Sequence, residues 1–131
     1  MDFKGVIIEE SLDDKSILKN ENINIILTKI EKVSEKHKTP WVDLWTLHTV
    51  EISEDKASEI AELISKSLDK IHKWYADIKN NKYHYIIFRN KVFKIDIYSK
   101  EQYDEAKEYG INLGIPEYQV DFHPEIKKWE R

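Results

Sequence analysis

The sequence predicts an α+β fold: a single domain with a mainly antiparallel sheet and two helices on one of its faces. Three observations carry this. The 131 residues match the size of one domain, with no Gly/Ser/Pro linker to divide them. Runs rich in β-branched and aromatic residues recur along the chain. Two stretches break that texture with apolar residues at three- and four-residue spacing, the mark of amphipathic helices.

The elements follow in order. "FKGVIIEE" reads as a first strand, Phe3 to Glu9. Ser11 with Asp14 three residues on forms a capping-box pattern, which predicts a short helical turn from Leu12 to Leu18. "INIILTKIEKVS", Ile23 to Ser34, is a second strand. Thr39 precedes Pro40 and is pushed towards extended geometry, so the chain breaks there before a third strand, Asp43 to Ile52. Trp41 and Trp45 at the mouth of that strand read as core anchors.

Ser53 is a good N-cap, and Glu54 and Asp55 suit the positive end of a helix. Ala57, Ile60, Ala61, Ile64, Leu68 and Ile71 then trace an apolar stripe of about four turns. "WYADIKNNKYHYIIFRNKVFKID", Trp74 to Asp96, gives three short strands joined by tight turns. A second helix starts at Ser99, capped with Gln102, and turns Tyr103, Ala106, Gly110 and Leu113 inward. Gly114 ends it and Pro116 lies beyond. "YQVDF", Tyr118 to Phe122, is a last strand, and residues 123–131 form a loosely docked tail. The order is ββαβββαβ, with a ferredoxin-like string from residue 43 on.

Composition excludes several chemistries. There are no cysteines, so thiolate metal sites, iron–sulfur clusters and cysteine nucleophiles are ruled out. "MDFKGVIIEE" lacks the basic region and apolar run of a secretory signal. No segment approaches the ~20 apolar residues of a membrane span, so no membrane partner and a cytoplasmic location are expected. The net charge is −4, yet from Lys73 to Lys100 seven bases face two acids, leaving that window at +5 and the remainder at −9. Such asymmetry can mark a binding face.

That window holds the candidate site. A two-residue turn at Asn80-Asn81 would set Asp77 directly opposite His84 and Ile78 opposite Tyr83. One face of the meander then carries Tyr75, Asp77, His84, Ile86, Phe88, Phe93 and Ile95. The other carries Trp74, Ala76, Ile78, Tyr83, Tyr85, Ile87, Val92 and Lys94. The first has the better aliphatic core, so both helices are assigned to it. An aromatic face is seldom left bare, so something must cover the second. The N-terminal strands, a second copy, a planar ligand and stacked RNA bases are the candidates.

Tyr and Trp favour buried or interface positions with a polar rim, which points to self-association or a small molecule on Trp74, Ile78, Tyr83, Tyr85, Ile87 and Lys94. Single-stranded RNA on Trp74, Tyr83 and Tyr85, with Lys82, Arg89 and Lys94 for phosphates, is disfavoured by the acidic balance and by "KYHYIIFR" lacking the small residues of RNA-binding sheets. Asp77 beside His84, helped by Tyr75, is the one acid–base constellation the turn geometry brings together. No nucleophile motif, phosphate loop or metal-binding helix accompanies it, so a cross-strand structural pair is the plainer reading. The five histidines, His37, His48, His72, His84 and His123, share no metal-ligand spacing on one helix turn. Neither a metal nor a cofactor is expected.

The segments "WTLHTVEI", "WYADIKN", "HYIIFRNKVFKID" and "GIPEYQVDF" together resemble a family of small uncharacterised prokaryotic proteins, over roughly Phe3 to Phe122. The resemblance implies a self-contained prokaryotic cytosolic domain and assigns no catalytic or binding residue. The expected function is a non-catalytic binding or interaction module, with a small enzyme or an RNA binder as the alternatives.

Overall fold

The computed structural model describes residues 1–33 and 42–115. Its elements are β1 (Phe3–Ile8), β2 (Asn24–Lys32), β3 (Leu44–Ile52), α1 (Ala57–Ser67), β4 (Tyr75–Lys79), β5 (Tyr83–Phe88), β6 (Lys91–Asp96) and α2 (Lys100–Leu113). The strands form one antiparallel sheet in the order β2-β3-β1-β4-β5-β6. The α+β class and the two helices are as the sequence predicts. The expected strand 118–122, the tail 123–131 and Trp41 lie outside the described residues. No helix among the described residues is long and apolar enough to cross a membrane.

The N-terminal strand does not stay at an edge. β1 pairs with β3 on one side and β4 on the other, so β3 and β4 run parallel with β1 inserted between them. α1 makes the connection from β3 to β4. The split β-α-β unit of a ferredoxin-like fold is therefore present, but the strand that fills it comes from the N-terminus. Gly5 makes the insertion possible: a Cβ there would lie 1.9 Å from the Asp77 carbonyl oxygen.

The helices sit on opposite faces, which corrects the single-face arrangement. Ile60, Ala61 and Ile64 of α1 share a core with Ile7, Val50, Ile52, Ala76, Ile78 and Ile87. Tyr103 and Ala106 of α2 share theirs with Ile86, Phe88 and Ile95. The meander is apolar on both sides, and each side takes one helix. Neither could stay bare in water.

α1 is also shorter than its apolar stripe. It ends at Ser67, its N-cap is Lys56 rather than Ser53, and Ile71 is 79% exposed. The stop is a long-range one. After Ser67 the chain pairs with the segment following β1: Asp13 N–H donates to Ser67 O at 2.8 Å, and Asp69 N–H donates to Ser11 O at 2.8 Å. That segment holds two 3-10 turns, Glu9–Ser11 and Lys15–Lys19, in place of the expected helix at Leu12–Leu18. Asp14, not Ser11, caps the second turn by accepting from Ser16 N–H at 3.1 Å. Arg89 closes the end of α1, donating to the carbonyls of Lys66 at 3.1 Å and Leu68 at 2.5 Å. α2 keeps its predicted caps. Ser99 Oγ accepts from Gln102 N–H at 3.2 Å, and Gly114 ends the helix at φ 100°.

Candidate functional site

The residues expected to form a ligand face are brought together, and the chain covers them itself. Trp74, Ile78, Tyr85 and Ile87 are buried in the core beneath α1. Phe3 packs edge-on against Tyr85 at 5.2 Å, and Trp45 packs against Trp74 at 5.9 Å. Tyr83 and Lys94 stay at the rim, with the Lys94 ammonium 4.4 Å from the Tyr83 ring centroid and 5.9 Å from that of Tyr85. The cation–π contact joins two residues of the expected set, and the aromatic side chains behind it, Trp74 and Tyr85, are buried.

The hairpin register explains the second constellation. Asn80 closes the β4–β5 turn, accepting at Oδ1 from Lys82 N–H at 2.9 Å and Tyr83 N–H at 2.8 Å. The loop is therefore Asn81-Lys82, one residue later than expected, and strand partners shift by two. A shift of two leaves every side chain on its expected face. His84 now faces Lys79 and Asp77 faces Ile86, yet the diagonal brings His84 Nε2 to 2.6 Å from Asp77 Oδ2. The third member is Tyr103 from α2, not Tyr75: its hydroxyl lies 3.0 Å from His84 Nδ1. Tyr75 is half-buried and packs on Phe88 at 6.2 Å.

Burial, and then the negative charges of Asp77 and Asp96, push the Tyr103 phenol well above its ordinary value. The phenol stays protonated, with its hydroxyl against Nδ1 of His84 and the Asp77 carboxylate against Nε2. His84 is 1% exposed and Asp77 5%. With both ring nitrogens engaged inside the protein, the trio is built as a buried polar brace.

A second imidazole is organised in the same way on the other side of the sheet. His48 faces Thr28 across β2–β3, with its Nδ1 2.9 Å from Thr28 Oγ1 and its Nε2 3.1 Å from Glu9 Oε1. Next to it, Glu10 accepts from the Thr46 N–H at 2.5 Å and the Thr46 hydroxyl at 2.8 Å. Two consecutive acids of the first 3-10 turn thus clasp β3. The two imidazoles lie on opposite faces of the sheet. His48 faces Ile7 on the α1 side, whereas Asp77 faces Val6 on the α2 side. Among the described residues no three metal-ligating side chains gather.

The surface feature that the sequence did not locate is the outer edge of β2. This nine-residue strand pairs with β3 on one side, and among the described residues no strand pairs with its other side. Ile26 is 49%, Leu27 61% and Ile30 63% exposed, and Leu44 on β3 lies open beside Lys32. A β-bulge lies between Ile25 and Leu27, within a strand that is exposed along nearly its whole length. The opposite edge of the sheet, β6, is different: Lys91, Lys94 and Asp96 are exposed along it, while Val92 and Phe93 are half-buried and Ile95 is buried. The sequence marks "INIILTKIEKVS" as a strand but not its place in the sheet, because edge position is set by which strands pair with it. No protein-family model, curated protein or solved structure matches this chain, so the surface is read from its own geometry.

Proposed function

We propose that the protein is a non-catalytic interaction module that associates with a second copy of itself through the β2 edge. One observation carries the reading: a long strand at the sheet margin presents a row of exposed aliphatic side chains beside backbone groups that can accept another strand. Edges of this kind are normally shortened, charged or covered, because they pair readily with other chains. The β6 edge is shorter, six residues against nine, and has none of the large exposed aliphatic side chains that β2 presents. The expected self-association is thereby kept, while its surface moves from the aromatic face to the margin of the sheet. A cytoplasmic location suits such a module.

Sedimentation velocity over a concentration series tests this. The parent chain should pass from monomer to dimer, and Ile30→Lys, which places a charge on the exposed strand, should remain monomeric with an unchanged circular dichroism spectrum. A parent chain that stays monomeric throughout, or an Ile30→Lys variant that dimerises as well as the parent, would remove the reading.

A further inference from the structure

We infer that the second copy joins β2 as an added strand, through the backbone N–H and C=O groups of Thr28, Ile30 and Lys32. The inference rests on the proposed self-association and goes further by naming the groups that make the contact.

Backbone bonds of an antiparallel pair alternate. Residues directly opposite one another either exchange two bonds or direct those groups away from the partner strand. Two bonds in the structure fix the phase of that alternation on β2. Just beyond its end, Val33 N–H donates to Asp43 O at 2.9 Å, so Val33 and Asp43 are a bonded pair. Pairing runs without a break from there to Thr28 opposite His48. Glu31 opposite Trp45 and Lys29 opposite Leu47 are then bonded pairs as well, while Thr28, Ile30 and Lys32 turn their backbone groups outward.

Thr46 gives the same answer independently. It stands opposite Ile30, and its N–H donates to Glu10 Oε1 at 2.5 Å, on the side of β3 that faces β1. An N–H directed there points away from Ile30, so this pair is of the unbonded kind.

The outward set begins at Thr28, because the bulge between Ile25 and Leu27 interrupts the alternation. Three donors and three acceptors result, and among the described residues no strand takes them up. A strand adds in the plane of the sheet, whereas side chains stand above and below it. The ladder needs only main-chain groups, and the side chains along β2 keep the contacts they have in the single chain.

The added strand is β2 of the second copy rather than its β6. A second β2 brings exposed aliphatic side chains to Ile26, Leu27 and Ile30, which β6 does not offer. Two β2 edges also close on each other, whereas β2 on β6 leaves a free edge at each end and generates an open filament.

Proline tests the ladder. It removes one N–H and is tolerated on an edge strand where that N–H faces outward. Lys32→Pro should keep the circular dichroism spectrum and weaken the dimer about tenfold or more, while Lys32→Ala should stay within about twofold of the parent. Hydrogen exchange on the parent needs no substitution. From dilute to concentrated protein, the amides of Thr28, Ile30 and Lys32 should slow about tenfold or more, and those of Lys29 and Val33, already bonded within the chain, should not change. A dimer whose Thr28, Ile30 and Lys32 amides exchange as fast as in the monomer, or a folded Lys32→Pro variant of parental affinity, overturns the ladder and leaves the self-association standing. A parent chain that never dimerises overturns both.

Discussion

His84 Nε2 lies 2.6 Å from Asp77 Oδ2 although the two residues are not strand partners: they meet across a diagonal of the β4–β5 hairpin. Tyr103 completes the chain from α2, so one buried imidazole ties two strands to a helix that follows them in sequence.

Removing the phenolic hydroxyl should show what this tie contributes. Tyr103→Phe keeps the ring packing and removes the hydroxyl from beside the buried His84 Nδ1. The expected loss is about 1–3 kcal/mol in urea unfolding, the usual cost of an unsatisfied buried polar group. A midpoint unchanged from the parent would show that the hydroxyl contributes nothing.

The same phenol makes alkaline stability diagnostic. Its folded-state value is raised above the ordinary 10.0, by burial first and then by Asp77 and Asp96. A group raised on folding favours the native state fully below its unfolded value, and that share is lost as pH rises beyond it. The parent should thus lose stability above pH 10 more steeply than Tyr103→Phe, which has no proton to release. Thermal melts from neutral to strongly alkaline buffer would reveal the difference, and parallel curves would refute it.

Two of the three glycines should respond unequally to alanine. At Gly5 the added methyl would collide with the Asp77 backbone, which belongs to a central strand and cannot move alone. A loss of at least about 3 kcal/mol is expected, or failure to fold. At Gly114 the surroundings are open and the cost is conformational, about 1–2 kcal/mol for a φ of 100°. Equal costs in denaturant titrations would mean that the β1–β4 contact is looser than its geometry.

Arg89 gives a fourth test. Named as a phosphate contact only in the disfavoured RNA alternative, it caps the carbonyls of Lys66 and Leu68 at the end of α1. Arg89→Ala should destabilise by about 1–2 kcal/mol, and Arg89→Lys should recover less than half, since the shorter lysine stops one bond before the position from which Nη1 reaches both carbonyls. Full recovery by lysine would assign the effect to charge alone.

What was legible in the sequence was local. The Ser99 cap, Gly110 inside α2 and Gly114 at its end depend on neighbours a few residues away, and each is where the pattern placed it. The faces of the meander survived a misplaced turn because an error of one loop residue moves strand partners by two and leaves side-chain parity intact. What failed depended on distant partners. Ile71 continues the stripe of α1, but the helix is stopped at Ser67 by a backbone pairing with residues more than fifty positions earlier. Tyr103 was legible as an inward residue, though nothing near it in sequence names His84. The insertion of β1 leaves its trace in Gly5, and a lone glycine in a strand has several readings.

That insertion has a consequence for the order of assembly. The strand at the middle of the sheet is made before both of its neighbours, which follow at residues 44–52 and 75–79. β1 therefore lacks one of its two neighbours until residue 79 has been made. The hairpins β2–β3 and β4–β5 can each close locally, while the step that joins them waits on contacts distant along the chain, which are slow to form. The protein's two halves are stitched together by the thread that was laid down before either existed.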